Sequence, residues 1–484
     1  MSVTANDIKF RKSVMQTDTP VNGGRKGISL VISGARHSLF PRVTKTQREN
    51  GLIRYRKQYY CNENADNLSA YGVLVYLMRP STSEDRFYLA KGTQLDVQSQ
   101  FVRKNSVGEY AASRYDRVWM GCGQLVSALT GGESEVILAM EHADFEFPNG
   151  GYLYLSENTL TAQTVDADVN VGDSVYLSAG SWSKISHTNN IDHPYGWYLG
   201  SNEVLTNHED NNEEFIQLAE NLYEDEVIGS GDGTNTSPTL TTLTNNANGI
   251  CRQPNKRPVV KATCGGTERT VNVGADGSCT GYCSAGQLNM ETGAWTTDIT
   301  WNAAPDDATD ITVTYRENCY SYVSNEVTVE LHDQVANPYS SGTTYGCGCV
   351  YEDEVVCVLS DFSLTSSQGS FNLAENPFGL FNKGTVQESW TLTFTSASNF
   401  QVSGGFYGSV GTGSINSDFE PVNPDTGEPY FKIPSAGWGG TFAEGESAQF
   451  TTSPSAIPLL LEEEVPIGTA QEPNNLVPLG SYTE

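Results

Sequence analysis

GQLNMETGAWTTDITWNAAPDDATDITVTY, residues 286–315, decides the fold class. From Trp295 the apolar residues fall at every second position, with Trp295, Ile299 and Trp301 sharing a face with Thr297. After the break at Ala304-Pro305-Asp306, Ile311, Val313 and Tyr315 alternate with Thr312 and Thr314. A period of two buries one side of a strand and leaves the other in water. The short connection around Pro305 is expected to return the chain antiparallel, as a hairpin. Glu291-Thr292-Gly293 predicts a second tight turn, because glycine accepts a positive φ at no cost. The stretch therefore predicts a compact β-sandwich, with the eight cysteines between Cys251 and Cys357 gathered around it.

A chain of 484 residues exceeds what one core supports, so several domains are expected. Glycine is plentiful at 47, and only 18% of residues are charged, which suits short strands and many turns over helical bundles or disorder. The fold class is mainly β and multi-domain, with β-sandwich or barrel-like domains. The expected division is an N-terminal β-rich domain over 1–215, a central cysteine-rich sandwich over 216–330 and a C-terminal β-rich domain over 331–484.

Charge is uneven. Residues 1–60 hold twelve Lys/Arg against three Asp/Glu, a balance of +9, which leaves −39 for the rest of a chain whose net charge is −30. An acidic bulk repels phosphate, so nucleic acid is not expected as the main partner. No apolar run reaches the ~20 residues that span a bilayer; Ile457–Leu461 is the nearest approach, and no membrane partner is expected. The opening MSVTANDIKFRKS has no apolar signal core, which predicts synthesis in the cytoplasm.

Within the first domain, strands are expected at Gly27–Ile32, Ile53–Tyr60, Tyr71–Met78, Phe87–Ala90, Val136–Met140, Tyr152–Leu155, Val175–Leu177 and Trp197–Leu199. Arg54 and Arg56 would share one face of their strand, with Lys57 opposite, a row able to hold carboxylates of a neighbouring subunit bidentately. Arg54, Arg56 and Lys57 are thus candidate subunit-interface residues; pairing with the protein's own acidic loops is the other reading. The stretch 208–226 reads as a helix with Phe215, Leu218, Ala219 and Leu222 on one stripe, or as a strand leaving the first domain. A linker is expected over 229–248. In the last region strands are expected at Glu354–Ser360, Trp390–Thr395, Phe400–Ser403 and Gln449–Thr452, with Trp390, Tyr430 and Trp438 as core or subunit contacts, or as a carbohydrate platform.

No catalytic constellation stands out. The six histidines are scattered, and none forms HExxH. His187 and His193 flanking Asp192 read as solvated loop residues. No enzyme activity, metal or cofactor is expected. The sharp feature is Cys251, Cys264, Cys279, Cys283, Cys319, Cys347, Cys349 and Cys357. Their close pairs are C-x₃-C and C-x-C, which suit zinc poorly. Disulfides are expected among them, with buried thiols as the other reading. Eight cysteines allow 105 pairings, and spacing selects none.

Three groups of residues carry a resemblance. Val227-Ile228-Gly229-Ser230-Gly231-Asp232-Gly233, Gly286 through Ala294, Asn302-Ala303-Ala304-Pro305 and Val313-Thr314-Tyr315 look like a β-sandwich module of tailed-bacteriophage virion proteins. Leu39-Phe40-Pro41, Gly51 with Arg54-Tyr55-Arg56-Lys57, Asn64-Ala65-Asp66-Asn67 and Gly92-Thr93-Gln94 are similar to a pattern in the same proteins. Trp390 onward, then Phe419–Phe431 and Gly437-Trp438-Gly439-Gly440, resemble a third; Phe442 stands where a second Trp is usual, and the module's cysteines are also a departure. Together these resemble structural proteins of the neck and tail of Mu-like phages. The resemblance implies a ring, collar or sleeve subunit of the virion, made in the host cytoplasm, whose partners are further copies of itself and other virion proteins. A baseplate or fibre protein that binds a host glycan, and a tail-associated cell-wall hydrolase, are the alternatives.

Overall fold

The computed structural model describes residues 3–32, 37–81, 83–157, 213–471, 477 and 479–483, with the backbone of four strand pieces between 163 and 204. The expected strand at Trp197–Leu199 and the trio His187, Asp192 and His193 lie outside the described residues. Ser174–Tyr176 pairs antiparallel with Lys184–Ser186. The chain is mainly β, in several open sheets, and none among the described residues closes into a barrel.

The sheets do not follow the linear thirds of the sequence. One five-stranded sheet runs Gly23–Leu30, Ile8–Met15, Leu52–Asn62, Ala456–Val465, Arg86–Lys91. A strand from near the C-terminus thus fills the middle of the N-terminal sheet, with Arg54 opposite Glu463 and Tyr60 opposite Ile457. Covered on both faces, it reads as the continuous apolar run Ile457–Leu461. A nine-stranded sheet is assembled from segments just as distant. Thr344–Val355 is its spine and pairs with Tyr152–Glu157, Cys122–Leu125 and Ala70–Leu77. Glu213–Gln217 joins it as a strand, which resolves the ambiguity at 208–226 there in favour of strand. Tyr55, Tyr88, Trp119, Leu138, Leu153 and Leu460 meet in the core of this composite body.

The central unit is a sandwich over 222–317. Leu222–Ser230, Asp310–Arg316, Val259–Cys264, Thr267–Val273 and Cys279–Gly281 form one sheet, and the ribbon of Cys283–Leu288 with Trp295–Trp301 a second. Ile299, Trp301, Ile311, Val313 and Tyr315 all enter one core, as their period demands. The turn at 291–293 closes the ribbon, with Gly293 at φ +64°. The connection at Pro305 is not a hairpin. Trp295–Trp301 pairs with Cys283–Leu288, whereas Asp310–Arg316 pairs with Leu222–Ser230 and Val259–Cys264, so the chain crosses from one sheet to the other. Alternation identifies strands and their buried faces but is silent about partners. The segment expected as a linker after Ser230 is an irregular strap that buries Leu240 and Leu243 in this core.

The glycines at 231 and 233 show why two distant parts of the module's motif occur together. A Cβ on Gly231 would lie 2.3 Å from the carbonyl oxygen of Asp306. Gly233 N–H donates to Pro305 O at 2.9 Å, and Gly231 N–H to Thr309 O at 2.9 Å. The glycine loop and the Pro305 crossing are one packed turn pair.

The third unit spans 358–453, with sheet order Val358–Thr365, Ser447–Ser453, Glu388–Phe394, Asn399–Gly404, Gly408–Ser414. Its core is aromatic. Trp390, Phe394, Phe400, Phe431, Phe442 and Phe450 are buried, and Trp438 packs beside them. Phe442 stacks face to face on Phe394 at 3.8 Å, while Gly369 has room for no Cβ against its ring.

Candidate functional site

The basic strand Leu52–Asn62 was the first candidate for a subunit interface, and here the structure corrects the expectation. Arg54, Arg56 and Lys57 are buried inside their own chain. Arg54 Nε donates to Glu463 Oε2, and its guanidinium lies over the Phe40 ring at 5.4 Å. Arg56 Nη1 donates to Asp18 Oδ1 at 2.6 Å and Arg56 Nε to Leu39 O at 3.2 Å. Lys57 Nζ donates to Asp96 and to Thr93 O at 2.7 Å; burial pulls this ammonium down to about 8 against the pull of Asp96. The LFP and RYRK elements of the sequence pattern are therefore in contact, through Leu39, Phe40 and Pro41, whose carbonyl Arg54 also holds. These side chains orient the N-terminal body from within.

Around them is a charge network the sequence did not reveal. Glu462, fully buried, receives Arg103 Nε at 3.2 Å on both carboxylate oxygens. Arg103 also reaches Asp144 at 3.0 Å and Glu464 at 3.1 Å, and stacks on Tyr88 at 3.6 Å. Lys104 joins Asp144 at 3.1 Å. Glu462–Glu464 are more than 350 residues from Arg103 in sequence, so only the pairing of Ala456–Val465 with Arg86–Lys91 brings them together.

All ten cysteines are free thiols. Only some of them gather round the central sandwich, where Cys264 is in the core and Cys279 and Cys283 pack against it. Cys347 and Cys349 lie on the spine of the nine-stranded sheet, and Cys357 falls between it and the third unit. The fold nevertheless juxtaposes some of them. Cys122 and Cys347 are direct cross-strand partners. Cys251 adds to the upward shift of the buried Cys319 thiol, and Cys283 to that of the half-buried Cys279. Burial pushes the Cys251 thiol up to about 11 and Cys279 to about 12. Cys264 and Cys357 are also raised by burial. Among the described residues no group of three or more His, Cys, Asp or Glu is arranged to hold a metal ion.

What the structure does expose is the free edge of the five-stranded sheet. The end of the hairpin strand Gly23–Leu30 leaves Ile28 57%, Leu30 43% and, just beyond, Ile32 45% exposed at alternate positions. Val14 and Met15 of the neighbouring strand are exposed too. Near its start the hairpin is anchored to the third unit, where Arg25 lies over the Phe406 ring at 4.8 Å and 3.7 Å from Glu388. The edge offers apolar area, while Arg11 Nη1 holds Ile28 O and Ser38 Oγ accepts from Ile32 N–H at 2.8 Å. The run Gly27–Ile32 was legible as a strand; that it ends a sheet was not. Compared with protein-family models, with curated proteins and with solved structures, the chain matches none. No helix among the described residues is long and apolar enough to cross a membrane.

Proposed function

We propose that the chain is a structural subunit, without catalytic turnover, that assembles with further copies of itself through the Ile28–Ile32 edge. The observation that carries the reading is that exposed apolar row on a basic hairpin of a chain with net charge −30. Lys12 and Lys26 sit on the hairpin, and exposed Glu224-Asp225 and Asp353-Glu354 lie elsewhere on the surface, so a second copy supplies the complementary charge. The buried ion network supports the same reading, since it fixes the geometry of the body that carries the edge. The sequence patterns suggest the setting: a ring, collar or sleeve in the neck or tail of a tailed phage, beside other virion proteins. Replacing Ile28 and Leu30 together with lysine is expected to abolish particles above the monomer in mass photometry while leaving the melting temperature within about 2 °C. A native chain that stays monomeric at high protein concentration and low salt overturns the proposal.

Disulfide hardening belongs to the same proposal. Direct cross-strand partners bring their Cα atoms within the span a disulfide bridges, roughly 4.4–6.8 Å. Cys122–Cys347 is such a pair, and Cys251–Cys319 and Cys279–Cys283 are proposed beside it on the influence of one thiol on the other. Because the thiolate is the attacking species and burial raises the thiols of Cys122, Cys251, Cys319, Cys279 and Cys283, oxidation of the folded chain is slow near pH 7 and faster toward pH 10. Oxidised glutathione at pH 9, followed by non-reducing peptide mapping, is expected to yield at least two of these bonds, each with the loss of two hydrogens. Free thiols at all six positions after that treatment remove hardening from the proposal.

A further inference from the structure

A cleft of about 370 Å³ opens where the N-terminal body meets the central sandwich, and neither assembly nor the cysteines account for it. One wall is the short helical turn Ala112–Asp116, which presents Arg114 and Tyr115. The other wall comes from Asn248 and Arg252, and Glu146, Asn318 and Tyr320 also line the cleft. We propose that this cleft binds an acidic sugar, a saccharide unit carrying a carboxylate.

Three observations lead there. First, the guanidinium of Arg114 lies over Tyr110 at 3.9 Å and over Tyr115 at 4.5 Å, and among the described residues it makes no side-chain hydrogen bond or close ion pair, although its charge acts on the Glu146 carboxyl from farther off. Stacking fixes the plane of the group and leaves its edge donors for a bidentate acceptor. Second, the wall is pre-organised. Tyr115 accepts from Arg252 Nη1 at 2.9 Å on its hydroxyl and from Arg257 Nη2 at 2.9 Å on its carbonyl, and Arg252 in turn pairs with Glu291. A tyrosine held between arginines keeps its ring in place when a ligand arrives. Third, the lining mixes signs. Glu146 and Glu291 line the same cleft as the arginines, which disfavours a dianionic phosphate but suits hydroxyl groups, which donate to carboxylates. The amide N–H groups of Asn248 and Asn318 are held by Glu330 Oε1 and Asn248 O, so these side chains meet a ligand as acceptors through their oxygens. One carboxylate on Arg114, with hydroxyls donating to the amide oxygens and the glutamates, uses this lining as it stands.

The test uses the full chain, with glucuronate and N-acetylneuraminate as probes and glucose, acetate and inorganic phosphate as comparisons, read by ligand-observed NMR titration. At least one acidic sugar is expected to saturate, with glucose at least about tenfold weaker and no displacement by phosphate or acetate. Arg114→Gln is expected to weaken the acidic sugar by about tenfold or more while leaving glucose unchanged, and Arg114→Lys to fall between, since it keeps the charge and loses the fork. Comparing acidic with neutral sugar on the unmodified chain keeps the test decisive should a variant not fold. No saturable binding by roughly 10 mM probe, equal displacement by phosphate or acetate, or unchanged affinity in a folded Arg114→Gln chain each overturn the site.

Discussion

Replacing Arg103 with alanine is expected to destabilise the chain by about 3–5 kcal/mol, a large part of the whole stability of an ordinary domain. Arg103 is 2% exposed and is the hydrogen-bonding partner of both oxygens of Glu462, which is itself 0% exposed. Removing the guanidinium leaves a carboxylate in the middle of a sheet with no countercharge. Burial already pushes Glu462 above the usual carboxylate range, with Arg103 the main opposing influence. The ring of Tyr88 also loses the guanidinium stacked on it, though it keeps its stack with Phe145. Chemical denaturation followed through the N-terminal body measures the loss. The double replacement Arg103→Met with Glu462→Leu is the decisive companion: it removes both charges and is expected to recover most of the stability. If the single alanine variant unfolds within about 1 kcal/mol of the native chain, water reaches Glu462 and the network is a surface feature.

That network also explains what was and was not legible. Strands at Ile53–Tyr60, Tyr71–Met78, Phe87–Ala90 and Val136–Met140 were readable because alternation and apolar runs are local signals, and each lies within a strand or overlaps one closely. Arg54 and Arg56 were read as a candidate subunit interface, with the chain's own acidic groups as the other reading, because nothing near them in sequence neutralises them. Their setting depends on Glu463, Asp18 and Phe40 arriving by long-range pairing. The same cause misled the division at 331: Thr344–Val355 and Ala456–Val465 fall within the expected C-terminal domain but complete N-terminal sheets. Sequence proximity likewise grouped Cys347 and Cys349 with the central cysteines, whereas Cys347 faces Cys122, isolated in sequence. The cleft residues left no local signal, since Arg114, Arg252 and Asn318 converge only when two units meet.

In the third unit, Trp390→Ala is expected to cost about 3–5 kcal/mol and to unfold that unit first. Trp390 is 1% exposed, stacks on Tyr407 and packs on Tyr430 and Phe431, and donates its indole N–H to Thr452 Oγ1 at 2.8 Å. Alanine empties the space where three aromatic neighbours meet, and rings held by the sheet on either side collapse only partly into it. Trp390→Phe separates the two contributions. It keeps much of the packing and loses only the indole donor, while the Thr452 hydroxyl retains its bond to Val386 O at 2.8 Å, so a loss nearer 1–2 kcal/mol is expected. Hydrogen exchange locates the effect. In Trp390→Ala the amides of Glu388–Phe394, Asn399–Gly404 and Ser447–Ser453 are expected to lose protection before those of Leu52–Asn62, because the aromatic core of the third unit is separate from that of the N-terminal body. Simultaneous loss in both would show that the Arg25 contact to Glu388 and Phe406 binds the two units into one cooperative block. A ring this deeply buried presents no face to a sugar. A glycan-binding phenotype at unchanged stability in Trp390→Ala would contradict the packing described for it.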